Sequence, residues 1–535
     1  MPLPQAARFG EYALKGLNAG LREIGQAPEQ RQARRLTRKI KRRDPSGPRV
    51  LFLTPRSWAY HVQVEMLLAT ALRLRGAEVE VVTCGGGLEV CDRANSWEAP
   101  PMPCRSCRTY VDRSVEAFGL DPDPLLGREP PPAWPELDEI GALDLHRVVD
   151  DAGTPLGELV DIPTRWFLLS ASRDSDPLGP LTTRRFLRSA RATAEAMRST
   201  LDRKRPDKLV LLNGLFFFES IARRLATERG IDVITYERGF RPETLVFRRG
   251  LPASHYEISP YWQRWKDEPL TVEQQAELDA YLLHRRRKGH PIFDFWKDAV
   301  SADLGGSEHG RTVCLFTNVT WDSAVLGREG AFGSIQQWLD AAIDHMKGHP
   351  EDRLIVRVHP AEAKMSGKIT RESLGTYLQH AWASLPSNVT VIAADDLTSS
   401  YDLMEAADVG LVLTSTVGLE MALLDKPVVV AGETHYRGKG FTTDVDNPGD
   451  FGRAIEAALA DPAALDRDVE AARRYAYTFF FRASIPFPLV SEPVPGLATL
   501  RVKDPAALAE GVDPWLDVIC DGILNGGDFL GVATC

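Results

Sequence analysis

Val409-Gly-Leu-Val-Leu-Thr-Ser-Thr-Val-Gly-Leu-Glu420 joins an apolar run to a helical pattern with no linker between them. Its apolar run reads as a strand buried on both faces, and it turns through hydroxyls and a glycine directly into a helical pattern. A helix N-terminus exposes unpaired N–H groups and a partial positive charge, so Ser415, Thr416 and Gly418 are expected to seat a phosphate. Gly418 would let the backbone approach the anion. Glu420, one turn into the helix, would accept hydrogen bonds from ribose hydroxyls. A plain strand-to-helix turn, generic to such folds, would show the same residues.

Four more apolar runs share the pattern: Thr312 to Thr317, Leu354 to Val358, Val389 to Ala393 and Val428 to Ala431, with helical patterns between them. Upstream, Val50 to Leu53, His61 to Arg75 and Val79 to Val82 read as strand, helix and strand, and the alternation returns at Lys208 to Asn213, Glu219 to Glu228 and Ile231 to Tyr236. Alternating strands and helices predict parallel sheets covered on both faces, with ligands outside the carboxyl ends of the strands. The expected domains are a basic amphipathic extension over 1–47, a Rossmann-like domain over 48–300, a second over 301–485, and a tail over 486–535 packing back across both. Residues 84 to 180, rich in Pro and Gly, read as an irregular insertion.

At 535 residues, 44% apolar and 26% charged, the chain can bury more than one core. Its net charge of −10 disfavours a nucleic-acid partner. No run is long and apolar enough for a transmembrane helix, no secretory signal is evident, and seven cysteines do not make a disulfide scaffold, so a cytoplasmic protein is expected. Leu14, Leu17, Leu21 and Ile24 recur at helical spacing within a basic segment that includes Arg34, Arg35, Arg38 and Lys39. That segment fits either a helix on an anionic membrane face or one docked on the protein.

Three further pieces place polar groups at strand ends. Arg357-Val-His-Pro-Ala-Glu362 offers a guanidinium to grip a phosphate and an imidazole, His359, to donate to one, with Glu362 beside them. Asn318 and Asp322 follow the strand at 312–317, and Tyr436-Arg-Gly-Lys-Gly-Phe-Thr442 supplies Lys439 and Thr442 on a glycine-rich loop able to close over an anion. Asp-x-Asp pairs beginning at Asp121, Asp174, Asp444 and Asp466 follow no convincing strand, so a transfer with no metal cofactor is expected. Neither a Walker loop nor a dinucleotide fingerprint occurs. Cys84, Cys91, Cys104 and Cys107 lie in the irregular stretch and could hold a structural zinc, although six residues separate the first pair.

Together these pieces resemble the capsule polysaccharide biosynthesis family, which contains the Kdo transferases of bacterial capsule assembly. The resemblance lies in His359-Pro360, Ser400-Tyr401 with Leu403, Ala407-Asp408, Ser415-Thr416-Val417-Gly418 with Glu420, Lys426-Pro427, and Tyr436 with Gly438, Gly440, Thr442 and Asp444, over about residues 310 to 450. It implies a GT-B fold, two Rossmann-like domains facing a cleft, and a glycosyltransferase using a nucleotide-sugar donor and a saccharide or lipid-linked acceptor. The His-Pro and Ser-Thr motifs would bind the donor. The catalytic base would come from the N-terminal half, where His61, at a helix start, and Glu237, at a strand end, are the candidates. A polyol-phosphate transferase, a sugar-nucleotide epimerase and a non-catalytic sugar-nucleotide-binding scaffold are the alternatives.

Overall fold

The computed structural model describes residues 18, 20–22, 24–40, 45–99, 101–288, 300, 310–365, 367–461 and 467–530. Two compact units make up the chain: Met1–Leu168 with Ser172–Tyr256 and Phe481–Cys535, and Leu169–Ala171 with Glu257–Phe480.

In the first unit, β1 (Arg49–Thr54) sits between Pro48 and Pro55, which lack the N–H a continuing strand would need. Its side chains alternate between two cores: Val50 and Phe52 enter one, Leu51 and Leu53 the other, so the strand is buried on both faces. Around it assemble β2 (Glu78–Thr83), β3 (Pro122–Pro124), β4 (Lys208–Leu212), β5 (Asp232–Arg238) and β6 (Thr244–Arg249), in the order β3-β2-β1-β4-β5-β6. All neighbours are parallel except β6, which returns antiparallel to β5. That is the doubly wound Rossmann order, whose topological switch point lies between β1 and β4.

The second unit repeats the order with β7 (Thr312–Phe316), β8 (Arg353–Arg357), β9 (Val389–Ile392), β10 (Val409–Val412), β11 (Val428–Val430) and β12 (Thr443–Asp444). Its sheet runs β9-β8-β7-β10-β11-β12, entirely parallel. The switch point falls between β7 and β10.

The expected boundaries move. β6 is the last strand the first sheet takes before the crossing, and the helix Val272–Lys288 packs on the helix Val469–Tyr477 of the second unit, so the division falls after Tyr256 and not at residue 300. The described part of the tail belongs to the first unit. β13 (Ile485–Pro486) pairs antiparallel with β6, Phe529 stacks on Phe247 at 5.1 Å between ring centroids, and the helix Pro514–Asn525 packs on Ala59–Leu74, all in the first unit. The stretch from 84 to 180 also carries regular structure, including the helix Cys104–Ala117, and the 26-residue helix Gly179–Lys204 follows it.

Leu14 and Leu17, on which the amphipathic reading of the extension rests, lie outside the described residues. The described part is docked on the first unit. Ala33 and Leu36 of the helix Pro28–Thr37 are fully buried, Gln30 donates to Ser114 Oγ at 3.3 Å, and Thr37 donates to the Ala117 carbonyl at 3.1 Å. No described helix is long and apolar enough to cross a membrane.

Candidate active-site residues

The registers align Phe316 of β7 with Arg357 of β8 and with Val412 of β10, so three strands end side by side at the switch point of the second sheet. Hydrogen bonds tie the chains that leave them. Thr317 N–H donates to the Arg357 carbonyl at 3.1 Å, Thr317 Oγ1 accepts from His359 N–H at 2.9 Å, and Asn318 Oδ1 accepts from Thr414 N–H at 3.2 Å. Asn318, His359 and the Ser415-Thr416 turn are thereby brought to one edge. Thr414 to Val417 are half-exposed within a run otherwise buried.

His359 Nδ1 accepts the Ala361 N–H at 3.1 Å, which places the ring proton on Nε2. Burial, and then the Arg357 charge, push its pKa down to about 4, so the imidazole is neutral at pH 7 with one N–H to donate. Ser415 Oγ accepts from Val417 N–H at 3.2 Å, fixing the turn into the helix Val417–Leu423. Glu362 is buried with one oxygen on the Leu374 N–H at 3.1 Å, and burial raises it to about 8.

Four expected ligand groups have partners within the protein. The Arg357 guanidinium donates to the carbonyls of Ala393 and Asp396 and to Ser400 Oγ, which ties β8 to the segment after β9. The Tyr436 hydroxyl donates to the Ser415 carbonyl at 2.5 Å, making this fully buried tyrosine a support beneath the hydroxyl turn. Gly418 owes its place to that tyrosine: a Cβ there would sit 2.2 Å from Tyr436 Oη and 2.9 Å from Val412 Cγ2. Glu420 is held by Arg285 at 2.6 Å, both side chains buried, with Tyr401 hydrogen-bonded to the same carboxylate. Arg285 was not legible as a partner, because it lies on a helix assigned from sequence to the other domain.

Side-chain hydrogen bonds tie down the loop Tyr436–Thr442. Asp444 accepts from Gly438 N–H at 2.7 Å and from Thr442 Oγ1 at 2.8 Å, while Lys439 Nζ donates to Ser259 Oγ at 2.7 Å. Asp322 accepts the Ala324 N–H at 3.0 Å and closes a local turn.

In the first unit, β1 and β4 end together at Thr54 and Leu212, and a small pocket there is lined by Arg56, Trp58, His61, Glu65 and Glu219. His61 is the third residue of the helix Ala59–Leu74, where a helix start was expected. It is half-buried, and burial, then Arg238 and Arg56, hold its pKa well below the ordinary value, so it is neutral at pH 7. Glu65, four residues on and thus on the same helix face, accepts from Tyr236 Oη at 2.8 Å, and burial raises it to about 8. Arg56 is buried in ion pairs with Asp92, at 3.3 Å, and Glu219. Burial works to discharge the guanidinium, but the two carboxylates outweigh it and hold it charged. Glu65 could have been found from sequence by its spacing from His61; Arg56, Asp92 and Glu219 come from three separate segments and carry no local signal. Glu237, at the end of β5, accepts from Asn213 Nδ2 at 2.9 Å and from the Arg238 N–H at 2.8 Å. Arg238 itself pairs with Glu492, not with Glu237.

Cys84, Cys91, Cys104 and Cys107 line one cavity of the first unit. Among the described residues no three of their sulfurs lie within 4.8 Å of one another; the one group of His, Cys, Asp or Glu that meets that spacing is His345, His349 and Glu456.

Residues 275–465 match the family model described as "Capsule polysaccharide biosynthesis protein". Over this segment the chain is similar to that family. The matched segment contains Arg285, β7 to β12 and every one of the expected donor residues. Among solved structures the chain is similar to the KpsC β-Kdo 2,4-transferase of Thermosulfurimonas dismutans, at 15% identity and TM-score 0.35, over 55% of this chain and 84% of that one. It is also similar to the UDP-GlcNAc 2-epimerase of Neisseria meningitidis, at 10% identity and TM-score 0.29 over 80% and 97%, and to the glycosyltransferase SnogD of Streptomyces nogalater, at 15% and 0.26 over 81% and 96%. At these scores the likenesses assign nothing to the chain. No curated protein matches it.

Proposed function

We propose that the chain is a glycosyltransferase of surface polysaccharide or glycoconjugate synthesis, moving a sugar from a nucleotide donor to a saccharide or lipid-linked acceptor. The observation that carries this reading is the hydrogen-bonded junction of three strand ends at the switch point of the second sheet, inside the matched segment. Switch points are where doubly wound sheets bind nucleotides. There, the His359 Nε2–H and the Ser415 and Thr416 hydroxyls hold the donor diphosphate or monophosphate and stabilise its charge as it leaves.

The chemistry assigned to the first unit is removal of the acceptor proton. An acceptor hydroxyl oxygen attacks the anomeric carbon, the bond from that carbon to the phosphate oxygen breaks, and the nucleotide departs with the electron pair. His61, kept neutral, takes the hydroxyl proton. Glu65, protonated near neutrality, does not compete for it, and the Arg56–Asp92–Glu219 cluster shapes the wall of the pocket.

A thermal-shift series with CMP, UDP, GDP and TDP tests the reading and separates a Kdo-type from a hexosyl-type donor. One nucleotide is expected to raise Tm, because ligand at a hundred times its Kd adds about 2.7 kcal/mol to native stability. No shift with any of the four at millimolar concentration contradicts it.

A further inference from the structure

Cys84 immediately follows Thr83, the last residue of β2, and so leaves the carboxyl edge of the first sheet. Cys104 and Cys107 occupy the first turn of the 14-residue helix Cys104–Ala117, and Cys91 comes from the loop between. All four are unpaired thiols, and all four line the same cavity, against Leu88, Met102 and Val111. Three of the sulfurs accept backbone N–H groups: Cys84 from Gly86 at 3.4 Å, Cys91 from Arg93 at 3.4 Å, and Cys107 from Ser57 at 3.3 Å.

A neutral thiol is a weak acceptor, and three donors aimed at such sulfurs contribute little. Aimed at thiolates they are charge-assisted, and hydrogen bonds to ligating sulfurs are a regular means of holding and tuning a metal centre. Arg93, Arg108 and Asp112 line the cavity as well.

We propose that Cys84, Cys91, Cys104 and Cys107 together ligate one metal centre. A tetrahedral zinc with bonds of about 2.3 Å would set its sulfurs roughly 3.8 Å apart. No three of these sulfurs approach within 4.8 Å of one another, so a single zinc would have to draw them together, whereas an iron–sulfur core would bring its own metal ions and sulfides between the cysteines. Pro55 lines both this cavity and the His61 pocket, so the centre braces the loop after β1 that carries Arg56.

The full chain, purified without oxygen from cells supplied with iron and zinc, is assayed for both metals and for acid-labile sulfide, and its visible spectrum is recorded. Iron with equimolar sulfide and broad visible absorption is the expected result, falling at least tenfold in Cys91→Ser and Cys104→Ser and unchanged in Cys520→Ser, a buried cysteine of the same unit. One zinc per chain without visible absorption, lost in the same two variants, upholds the four-thiolate site with a single ion as its occupant. Because a serine variant can fail to fold, the wild-type protein is also labelled with a thiol reagent under native conditions, before and after chelation; four additional thiols should react afterwards. Metal-free wild-type protein, metal that survives both serine substitutions, or a Cys104–Cys107 disulfide in the anaerobic sample overturns the proposal.

Discussion

A strand-end position tells that a side chain can reach a ligand, but not what it bonds to instead. His359 and Asn318 were legible because Pro360 and the strand pattern fix where they emerge, and both arrive at the switch point. Arg357, Tyr436, Gly418 and Glu420 also meet Ala393, Ser415, Tyr436 and Arg285, partners that no local pattern shows because tertiary contact sets them. The Gly418–Tyr436 contact gives a sharp test. Gly418→Ala should destabilise the protein by about 1–3 kcal/mol through overpacking, and Tyr436→Phe, which removes the clashing hydroxyl, should recover part of that loss. Strict additivity in denaturant unfolding would refute the packing account.

Glu362 makes a second prediction at this scale. Its pKa is raised from 4.5 to about 8, so between those values the folded state holds a proton the unfolded state has released, and stability falls as pH rises through the window. Glu362→Gln removes the titration and keeps a carbonyl for the Leu374 N–H. Its stability relative to wild type should therefore climb between pH 5 and 8, at no more than about 1.4 kcal/mol per pH unit, and level off above. A difference in unfolding free energy that does not vary over that range contradicts the burial of this carboxyl.

Among the elements, the strands were the most legible, since runs such as Val50 to Leu53 and Val409 to Leu413 are apolar on both faces and bounded by Pro or by polar turns. The helix Gly179–Lys204 escaped the reading although Phe186, Leu187, Ala190, Ala194, Met197 and Leu201 make a buried stripe at helical spacing; six arginines, one lysine and two acids along the helix mask it in a coarse scan. The helix Pro28–Thr37 precedes the first strand and looked dispensable, yet it buries Ala33 and Leu36 and bonds to the helix Cys104–Ala117. Removing residues 1–43 should lower Tm by several degrees relative to removing 1–17, because one fully buried Leu side chain contributes about 2 kcal/mol. Equal Tm values for the two truncations would show that the docking adds no stability.

For the whole molecule, alternation of strands and helices was enough to expect two doubly wound units, because periodicity is a local signal. Where one unit ends was not, because the return of the chain through β13 and the helix Pro514–Asn525 to the first sheet is a long-range choice. In the proposed function the labour is divided: the second unit binds the donor and His61 of the first takes the proton. Calorimetric titration of the nucleotide that raises Tm into wild type, Ser415→Ala, His359→Ala and His61→Ala tests this most directly. Each of the first two variants should bind about ten- to a hundredfold more weakly, the cost of one hydrogen bond to a charged group, while His61→Ala should bind as wild type does and lose sugar transfer by about a hundredfold. Wild-type affinity in both Ser415→Ala and His359→Ala, with affinity lost in His61→Ala, would contradict the account.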